Sequence, residues 1–173
     1  AADPAHFTFV QEHSVAKSGV AAVCAKLRKH RIAALLGPPD PLMSKTGGGV
    51  GVLGRTHRRM FAVPPVTGAF RKLLASGRVG LYGIDVGCGQ TCLCFCIYGV
   101  TNGHHCAVAA ARTDELVVVC SKESDAQPRG PRFYFGDINA DIADLPSLDA
   151  LVNARALIDL GGMASAWGGV DAE

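Results

Sequence analysis

Hydrophobic positions recur with two different spacings along this chain, and each spacing predicts a type of secondary structure. Between residues 18 and 30 the apolar side chains fall three and four positions apart, which is the stripe of a helix lying on a sheet. The same spacing returns between residues 109 and 120, with Arg112, Asp114 and Glu115 expected on the outer face. A third helix is predicted after Asp144, which would act as an acidic cap, with Pro146 in the first turn.

Shorter apolar runs bounded by glycine and proline predict strands. Residues 7–10 form one such run. The glycine-rich stretch 47–54 is better explained as a strand than as a phosphate-binding loop, because it lacks a Gly-Lys-Ser/Thr ending. Segments 78–86 and 90–100 are expected to form an antiparallel hairpin around the turn 87–89. Strands mixed with two or three helices in this way predict one layered α/β (α+β) domain.

Polar side chains follow two of these strands at the point where each strand ends. The aromatic run 133–135 predicts a short buried strand, and Asp137 and Asn139 come directly after it. Glu12 follows the run 7–10 in the same way. Functional side chains are commonly mounted at the ends of rigid strands, so Glu12, Asp137 and Asn139 are candidate site residues.

The seven cysteines form no regular framework, and three of them alternate along one predicted strand. Cys92, Cys94 and Cys96 would share one face with Tyr98, while the intervening residues are also apolar. Both faces of this strand are therefore expected to be covered. Ligands in a row on one strand face do not easily converge tetrahedrally on one ion, so these cysteines are predicted to be buried, reduced and free of metal.

Composition and charge change this picture only slightly. Charged residues make up 18% of the 173 residues, which favours a surface partly covered by a partner because a typical share is about 25%. The net charge of +2 does not by itself argue for nucleic-acid binding. The dense basic cluster of Arg55, His57, Arg58 and Arg59 is expected in a hairpin connection, where a solvated turn is favoured over a phosphate contact.

Localisation is unknown from the sequence. No run reaches the ~18 apolar residues of a membrane span, and no targeting segment is visible. An odd number of cysteines in a domain of this size is typical of free thiols in a reducing compartment.

Four motifs occur in order on the predicted strands and their exits. They are Gln11-Glu12, the strand 48–53, Tyr98 followed by Asn102, and Gly136-Asp137 with Asn139. This order resembles the endonuclease/exonuclease/phosphatase superfamily and, within it, the endonuclease domains of LINE-type retrotransposons, over residues 9–160. The resemblance implies a layered α/β sandwich with mixed, largely antiparallel sheets and Mg²⁺-dependent cleavage of phosphodiester bonds.

The resemblance also implies roles for particular residues. Glu12 would correspond to the metal-binding glutamate, and Tyr98 to the tyrosine that contacts the scissile phosphate. Asp137 and Asn139 would correspond to the pair that orients the attacking water and the phosphate. Mg²⁺ commonly takes one or two carboxylates with water and phosphate oxygens, so Glu12 and Asp137 are expected to lie at one edge and share a weakly bound ion.

Two functional interpretations follow for a single, incomplete domain spanning residues 1–173. The family's first strand, with its catalytic asparagine, and its final Asp-His pair have no match in these residues. A catalytically silent structural or interaction subunit is favoured, with protein partners covering open sheet edges. His13 and His104 could reach the rim of the site, but neither is expected to have an orienting aspartate. The alternative is a fragment of an Mg²⁺-dependent endonuclease, with nucleic acid as its partner.

Overall fold

Two β-sheets form the centre of the fold. The computed structural model describes residues 7–41, 48–87 and 89–160. The strands of the first sheet are β1 (Phe7–Gln11), β2 (Ile32–Leu36) and β3 (Val50–Arg55), and those of the second are β4 (Met60–Ala62), β5 (Val79–Gly87), β6 (Gln90–Tyr98) and β7 (Arg132–Asp137). The first sheet has the order β1-β3-β2 and the second β4-β5-β6-β7. All pairs are antiparallel except β6 with β7, so the expected mixed, largely antiparallel sheets are confirmed.

Four helices accompany the sheets in the described part of the chain. They are α1 (Val20–Lys29), α2 (Gly68–Leu74), α3 (Ala107–Ala126) and α4 (Pro146–Asn153). The predicted helix over 18–30 is confirmed as α1, which packs on β2. The second predicted helix continues six residues beyond Cys120 and ends before Gln127 and Pro128. None of the described helices is long and apolar enough to cross a lipid bilayer.

The core lies between the two sheets and on the helix-covered face of the second one. Val50 and Val52 of β3 pack against Tyr82, Cys96 and Tyr98 across the gap between the sheets. On the other side of the second sheet, side chains of α2 and α3 pack on β5 and β6 in a cluster that includes Phe70, Phe95, Leu116 and Cys120. The order of layers is therefore helix, sheet, sheet, helix, as expected for a layered sandwich.

The cysteine row lies on one face of β6, as the alternation predicts, and this face packs against the first sheet. Cys92, Cys94 and Cys96 are free thiols with no exposed surface. Burial raises the pKa of Cys96 to about 11 and raises that of Cys94 further. These thiols are therefore protonated at neutral pH and pack as small apolar side chains.

Two expectations about strands are wrong. The basic cluster at residues 55–59 does not connect a hairpin, because β3 pairs in the first sheet and β4 pairs in the second. The connection passes from one sheet to the other. The aromatic strand is also less buried than expected, since β7 is the edge of its sheet and Phe133 is 41% exposed.

Asp144 does not cap α4, contrary to the prediction from the sequence. Asp144 lies in a short 3-10 turn before α4, and its side chain does not cap the helix. Asp114 was expected on the outer face of α3, but it is 9% exposed. Its carboxylate accepts hydrogen bonds from the Ser147 backbone N–H at 2.9 Å and from the Ser147 hydroxyl at 2.6 Å. The carboxylate that accepts the hydrogen bonds at the start of α4 therefore belongs to α3.

Candidate functional site

Three of the sequence-predicted residues lie at one edge of the two sheets. β6 and β7 run parallel and in register, so their last residues, Tyr98 and Asp137, are neighbours. Glu12 directly follows β1, and its carboxylate oxygen Oε1 accepts a hydrogen bond from the Tyr98 hydroxyl. The expected placement of Glu12 and Asp137 at a common edge is therefore found, with Tyr98 joining the two sheets.

Tyr98 is held from several sides. Its side chain is 4% exposed, and the Thr101 hydroxyl lies 3.4 Å from its own hydroxyl. The Arg78 guanidinium stands 5.2 Å from the centre of its ring. Burial, together with the hydrogen bond to the Glu12 carboxylate, raises the pKa of Tyr98 above its usual value. The phenol therefore stays protonated at neutral pH and acts as a donor.

Arg78 and Asp40 support the end of β6, and sequence reasoning did not identify either residue. The Arg78 Nε atom lies 2.7 Å from the Asp40 carboxylate, and its Nη1 donates to the Gly99 carbonyl at 2.8 Å. Asp40 is 2% exposed and the Arg78 side chain is 14% exposed, so the carboxylate of this ion pair is buried and the guanidinium largely so. No local pattern marks the pair, because the two residues stand 38 positions apart and Asp40 follows two prolines in a loop.

The backbone at Glu12 explains how its side chain reaches Tyr98. The side-chain amide Nε2 of Gln11 lies 3.7 Å from the Cys96 thiol, so the Gln11 side chain faces the second sheet. In a regular strand Glu12 would point to the opposite face. Instead Glu12 adopts a left-handed conformation with φ of 49°, which is unusual for a residue with a Cβ. This turn redirects the carboxylate towards the second sheet.

Asp137 and Asn139 are fixed by a short turn after β7. The Asn139 N–H donates to the Asp137 carboxylate at 3.2 Å, and Asn139 is left-handed with φ of 52°. The turn is tied to the segment after β6, because the Gly99 N–H donates to the Asp137 carbonyl at 2.7 Å. The His104 N–H also donates to the Asn139 carbonyl at 3.1 Å. A Cβ on Gly99 would collide with the Ile138 carbonyl, so this approach requires glycine.

The two histidines near the site have different surroundings. His13 accepts from the Val15 N–H through Nδ1 at 3.1 Å, and its Nε2 lies 3.1 Å from the Gly37 carbonyl. Both ring nitrogens are therefore used to hold the loop after β1. His104 has its Nδ1 3.5 Å from the Asp141 carboxylate. The expectation that neither histidine has an aspartate partner is wrong for His104.

A cavity adjoins His104. Its volume is about 510 Å³, and it lies between the first residues of α3 and of α4. The His104–Asp141 pair is open to solvent, with side chains 49% and 74% exposed. This pair therefore belongs to the rim of the site and not to its interior.

The side chains at the edge suit a hard divalent cation. Glu12 and Asp137 are both exposed and offer carboxylate oxygens, while Tyr98 offers a hydroxyl. Across the residues that the structure describes, no group of three or more His, Cys, Asp or Glu side chains converges on one point. Mg²⁺ fits such a site, since it is usually held by one or two carboxylates with water and substrate oxygens completing the shell.

Neither a protein-family model nor a curated protein sequence matches this chain. Solved structures do match it. Truncated TDP2 from Caenorhabditis elegans superposes with a TM-score of 0.52 and 15% identity, over 80% of this chain and 51% of TDP2. The human Nocturnin catalytic domain with bound sulfate superposes with a TM-score of 0.56 and 9% identity, over 96% of this chain and 63% of Nocturnin. The chain has the endonuclease/exonuclease/phosphatase fold.

A third solved structure superposes at a lower TM-score. The endonuclease domain of TRAS1, a telomere-specific non-LTR retrotransposon, has a TM-score of 0.44 and 13% identity, over 81% of this chain and 64% of that domain. The chain spans about half of the length of TDP2 and under two-thirds of Nocturnin. Similarity at this level of identity shows the fold alone.

Proposed function

We propose that this domain binds Mg²⁺ and a phosphoester group at the edge formed by Glu12, Tyr98 and Asp137, without appreciable turnover by itself. The observation that carries the proposal is the hydrogen bond from Tyr98 to Glu12 beside Asp137. That contact gathers two exposed carboxylates and a protonated phenol from three strand ends. Such a set of oxygen atoms supports a Mg²⁺–phosphate site, because the cation and the donors both favour phosphate oxygens.

The site residues have different roles in this proposal, and each role follows from the chemistry of the side chain. Glu12 and Asp137 would hold the ion, which neutralises negative charge on the phosphate oxygens when it is bound. The Tyr98 hydroxyl donates to Glu12 and so orients that carboxylate, while the Asn139 side-chain amide, which lies 3.5 Å from the Gly99 carbonyl, has a second N–H for a phosphate oxygen. Asp137 is restrained by the Asn139 N–H, so its carboxylate is oriented before any ligand arrives.

Low turnover follows from the surroundings of the histidines. Hydrolysis requires a group that accepts the proton of the attacking water, a contribution of about 10²–10⁴-fold. The ring of His13 is engaged on both nitrogens. His104 has a carboxylate partner, but both members of the pair are exposed, and exposed ion pairs hold their geometry weakly.

An interaction role is supported by the open edge at β7. Within the described part of the chain β7 pairs with β6 alone, and Phe133 on this strand is 41% exposed. Phe135 stacks on Phe9 with ring centres 4.1 Å apart, so an aromatic surface extends from the second sheet to the first. A strand edge without a described neighbour, next to the exposed Phe133 ring, favours a protein partner in a larger assembly.

The second candidate function is Mg²⁺-dependent phosphodiester hydrolysis. The observation that favours it is the His104–Asp141 contact at 3.5 Å, next to the turn that carries Asp137 and Asn139. If binding of a substrate ordered this pair, His104 would be able to accept a proton. In that case nucleic acid would be the substrate class.

A plasmid-nicking assay in Mg²⁺ separates the two candidates. We expect no metal-dependent nicking above background from the whole chain. Nicking that is lost in Glu12→Gln, Asp137→Asn and His104→Ala, but kept in Asp125→Asn, would establish the enzymatic function. Asp125 is a suitable control because it is exposed near the end of α3, outside the edge described above.

A further inference from the structure

Positive charge is concentrated in one part of this chain. Twelve of the 17 Lys and Arg residues lie between residues 13 and 84, where Asp40 is the sole acidic residue. That aspartate is paired with Arg78. The net charge of +2 is small because the strongly basic segment 13–84 is balanced by acidic residues elsewhere in the chain.

The fold brings two basic stretches of this segment together. Arg55 at the end of β3 pairs in register with Ile32 at the start of β2. The Thr56 N–H donates to the Arg31 carbonyl at 3.0 Å, and the Arg31 N–H donates to the Arg28 carbonyl at 3.0 Å. The end of α1 and the connection from β3 to β4 are therefore side by side.

We call the resulting surface the basic face and define it by Arg28, Lys29, Arg31, Arg55 and Arg59. Four of these side chains are exposed, and Arg55 is half-buried. None of the five forms a salt bridge with another described residue. The Arg59 guanidinium lies 5.5 Å from the centre of the Phe61 ring, which restrains it without neutralising its charge.

Among the residues that the structure describes, one acidic residue is seen to adjoin the basic face. The Asp85 N–H donates to the Arg59 carbonyl at 3.0 Å, so Asp85 is close to the backbone there. Its carboxylate accepts from the Gly87 N–H at 2.9 Å. A single carboxylate that is already engaged leaves the five cations with a large positive excess.

The basic face lies at the opposite end of the sheets from the proposed metal site. β3 begins at Val50, which pairs with Gln11 next to Glu12, and ends at Arg55. Six strand residues cover roughly 17 Å at about 3.3 Å per residue. These cations therefore do not surround the Glu12–Asp137 edge and are not explained by it.

We propose that the basic face is a second contact surface, which binds the phosphate backbone of nucleic acid without reading its sequence. Four of its five cations are arginines, whose forked guanidinium groups bind phosphate oxygens in pairs. A membrane-binding surface usually combines cations with exposed Trp, Phe or Leu, and none of these is exposed in segments 26–31 or 55–60. This proposal does not depend on metal binding or turnover at the other end of the sheets.

The test is the salt dependence of binding to a labelled 20-base-pair duplex of arbitrary sequence, measured by fluorescence anisotropy on the whole chain. We expect binding at low salt that weakens as salt rises, because each phosphate contact contributes a slope of about −0.9 in log K against log salt. In the double variant Arg28→Gln with Arg59→Gln the slope should become less steep by about 1.8. Lys29→Gln with Arg31→Gln should give a similar loss.

The matched control removes the same charge from another surface. Arg71 and Lys72 are exposed on α2, and Arg71→Gln with Lys72→Gln should leave the slope unchanged. Glu12→Gln should also leave the slope unchanged, which separates this surface from the metal site. The proposal would be overturned if the control pair reduced the slope as much as the variants of the basic face do. It would also be overturned if both variants of the basic face left the slope unchanged, or if the chain did not bind the duplex at low salt. Loss of binding to phosphatidylserine vesicles in those variants with duplex binding intact would overturn it as well.

Discussion

At the residue scale, the main feature is the left-handed backbone of Glu12. A residue with a Cβ pays roughly 1–2 kcal/mol for this conformation, whereas glycine adopts it freely. Here the conformation turns a carboxylate from one face of the first sheet to Tyr98 on the second. Strain of this kind is commonly found where a side chain is positioned for a ligand.

The first prediction compares two variants that both lack the carboxylate. Glu12→Gly should be more stable than Glu12→Ala by about 1 kcal/mol, because only alanine keeps the left-handed strain. Glu115, an exposed residue in the middle of α3, provides the control. The Glu115→Ala variant should be more stable than Glu115→Gly by about 1 kcal/mol. Urea unfolding measures both differences. Equal stability of the two variants at position 12 would show that the backbone there is relaxed.

At the element scale, local patterns predicted five of the seven described strands and three of the four described helices, whereas β2 and β4 were not predicted. The partners of each element depended on distant contacts. The apolar residues on both faces of segment 90–98 were enough to predict a strand covered on both sides. Nothing local indicates that β3 and β4 lie in different sheets, or that Asp114 on α3 would bond to Ser147 at the start of α4. The seven-residue α2 was not predicted, since it is too short to show a stripe.

The second prediction concerns the start of α4. Asp114→Asn should destabilise the domain by about 1–2 kcal/mol, because the Ser147 N–H and hydroxyl lose a charged acceptor. Asp144→Asn should change the free energy of unfolding by less than about 0.5 kcal/mol, as expected for a surface substitution. Thermal or urea unfolding measures both changes. If Asp144→Asn lowered the free energy of unfolding more than Asp114→Asn does, Asp144 would be the cap after all.

The third prediction concerns the pH dependence of stability and rests on Glu123. This carboxylate has no exposed surface and accepts from the Val66 and Thr67 N–H groups at 2.6 and 2.7 Å, at the start of α2. Burial acts to raise the pKa of Glu123, but these hydrogen bonds, with others from Thr67 and Gln127, outweigh burial and lower it. An unfolded glutamate has a pKa of about 4.3, so this contribution to stability is present above that pH and is lost as the pH falls.

Glu123→Gln tests this contribution. The wild-type free energy of unfolding should fall more steeply below about pH 4.3 than that of the variant, because only the wild type has a carboxylate to protonate there. Asp125→Asn, on the exposed side of α3, should keep the wild-type pH dependence. Parallel curves for the wild type and Glu123→Gln would mean that Glu123 does not contribute in this way.

At the scale of the whole molecule, strand ends from both sheets meet at one edge, and the basic face occupies the opposite end. The order of motifs in the sequence was sufficient to predict the fold and to select Glu12, Tyr98 and Asp137. It was not sufficient to find Arg78 or the His104–Asp141 pair, because both depend on loops brought together by the fold. The exposed edge at β7 likewise follows from strand order and not from the aromatic run itself.

The most direct test of the metal site is a titration with Mn²⁺, a paramagnetic substitute for Mg²⁺, followed by NMR. The amide signals of Glu12, Asp137 and Asn139 should broaden first, those of Arg55 and Arg59 should broaden least, and excess Mg²⁺ should reverse the change. Glu12→Gln combined with Asp137→Asn should abolish the broadening. Uniform broadening, or broadening confined to another acidic segment such as residues 141–149, would contradict the central claim that these strand ends form a cation site.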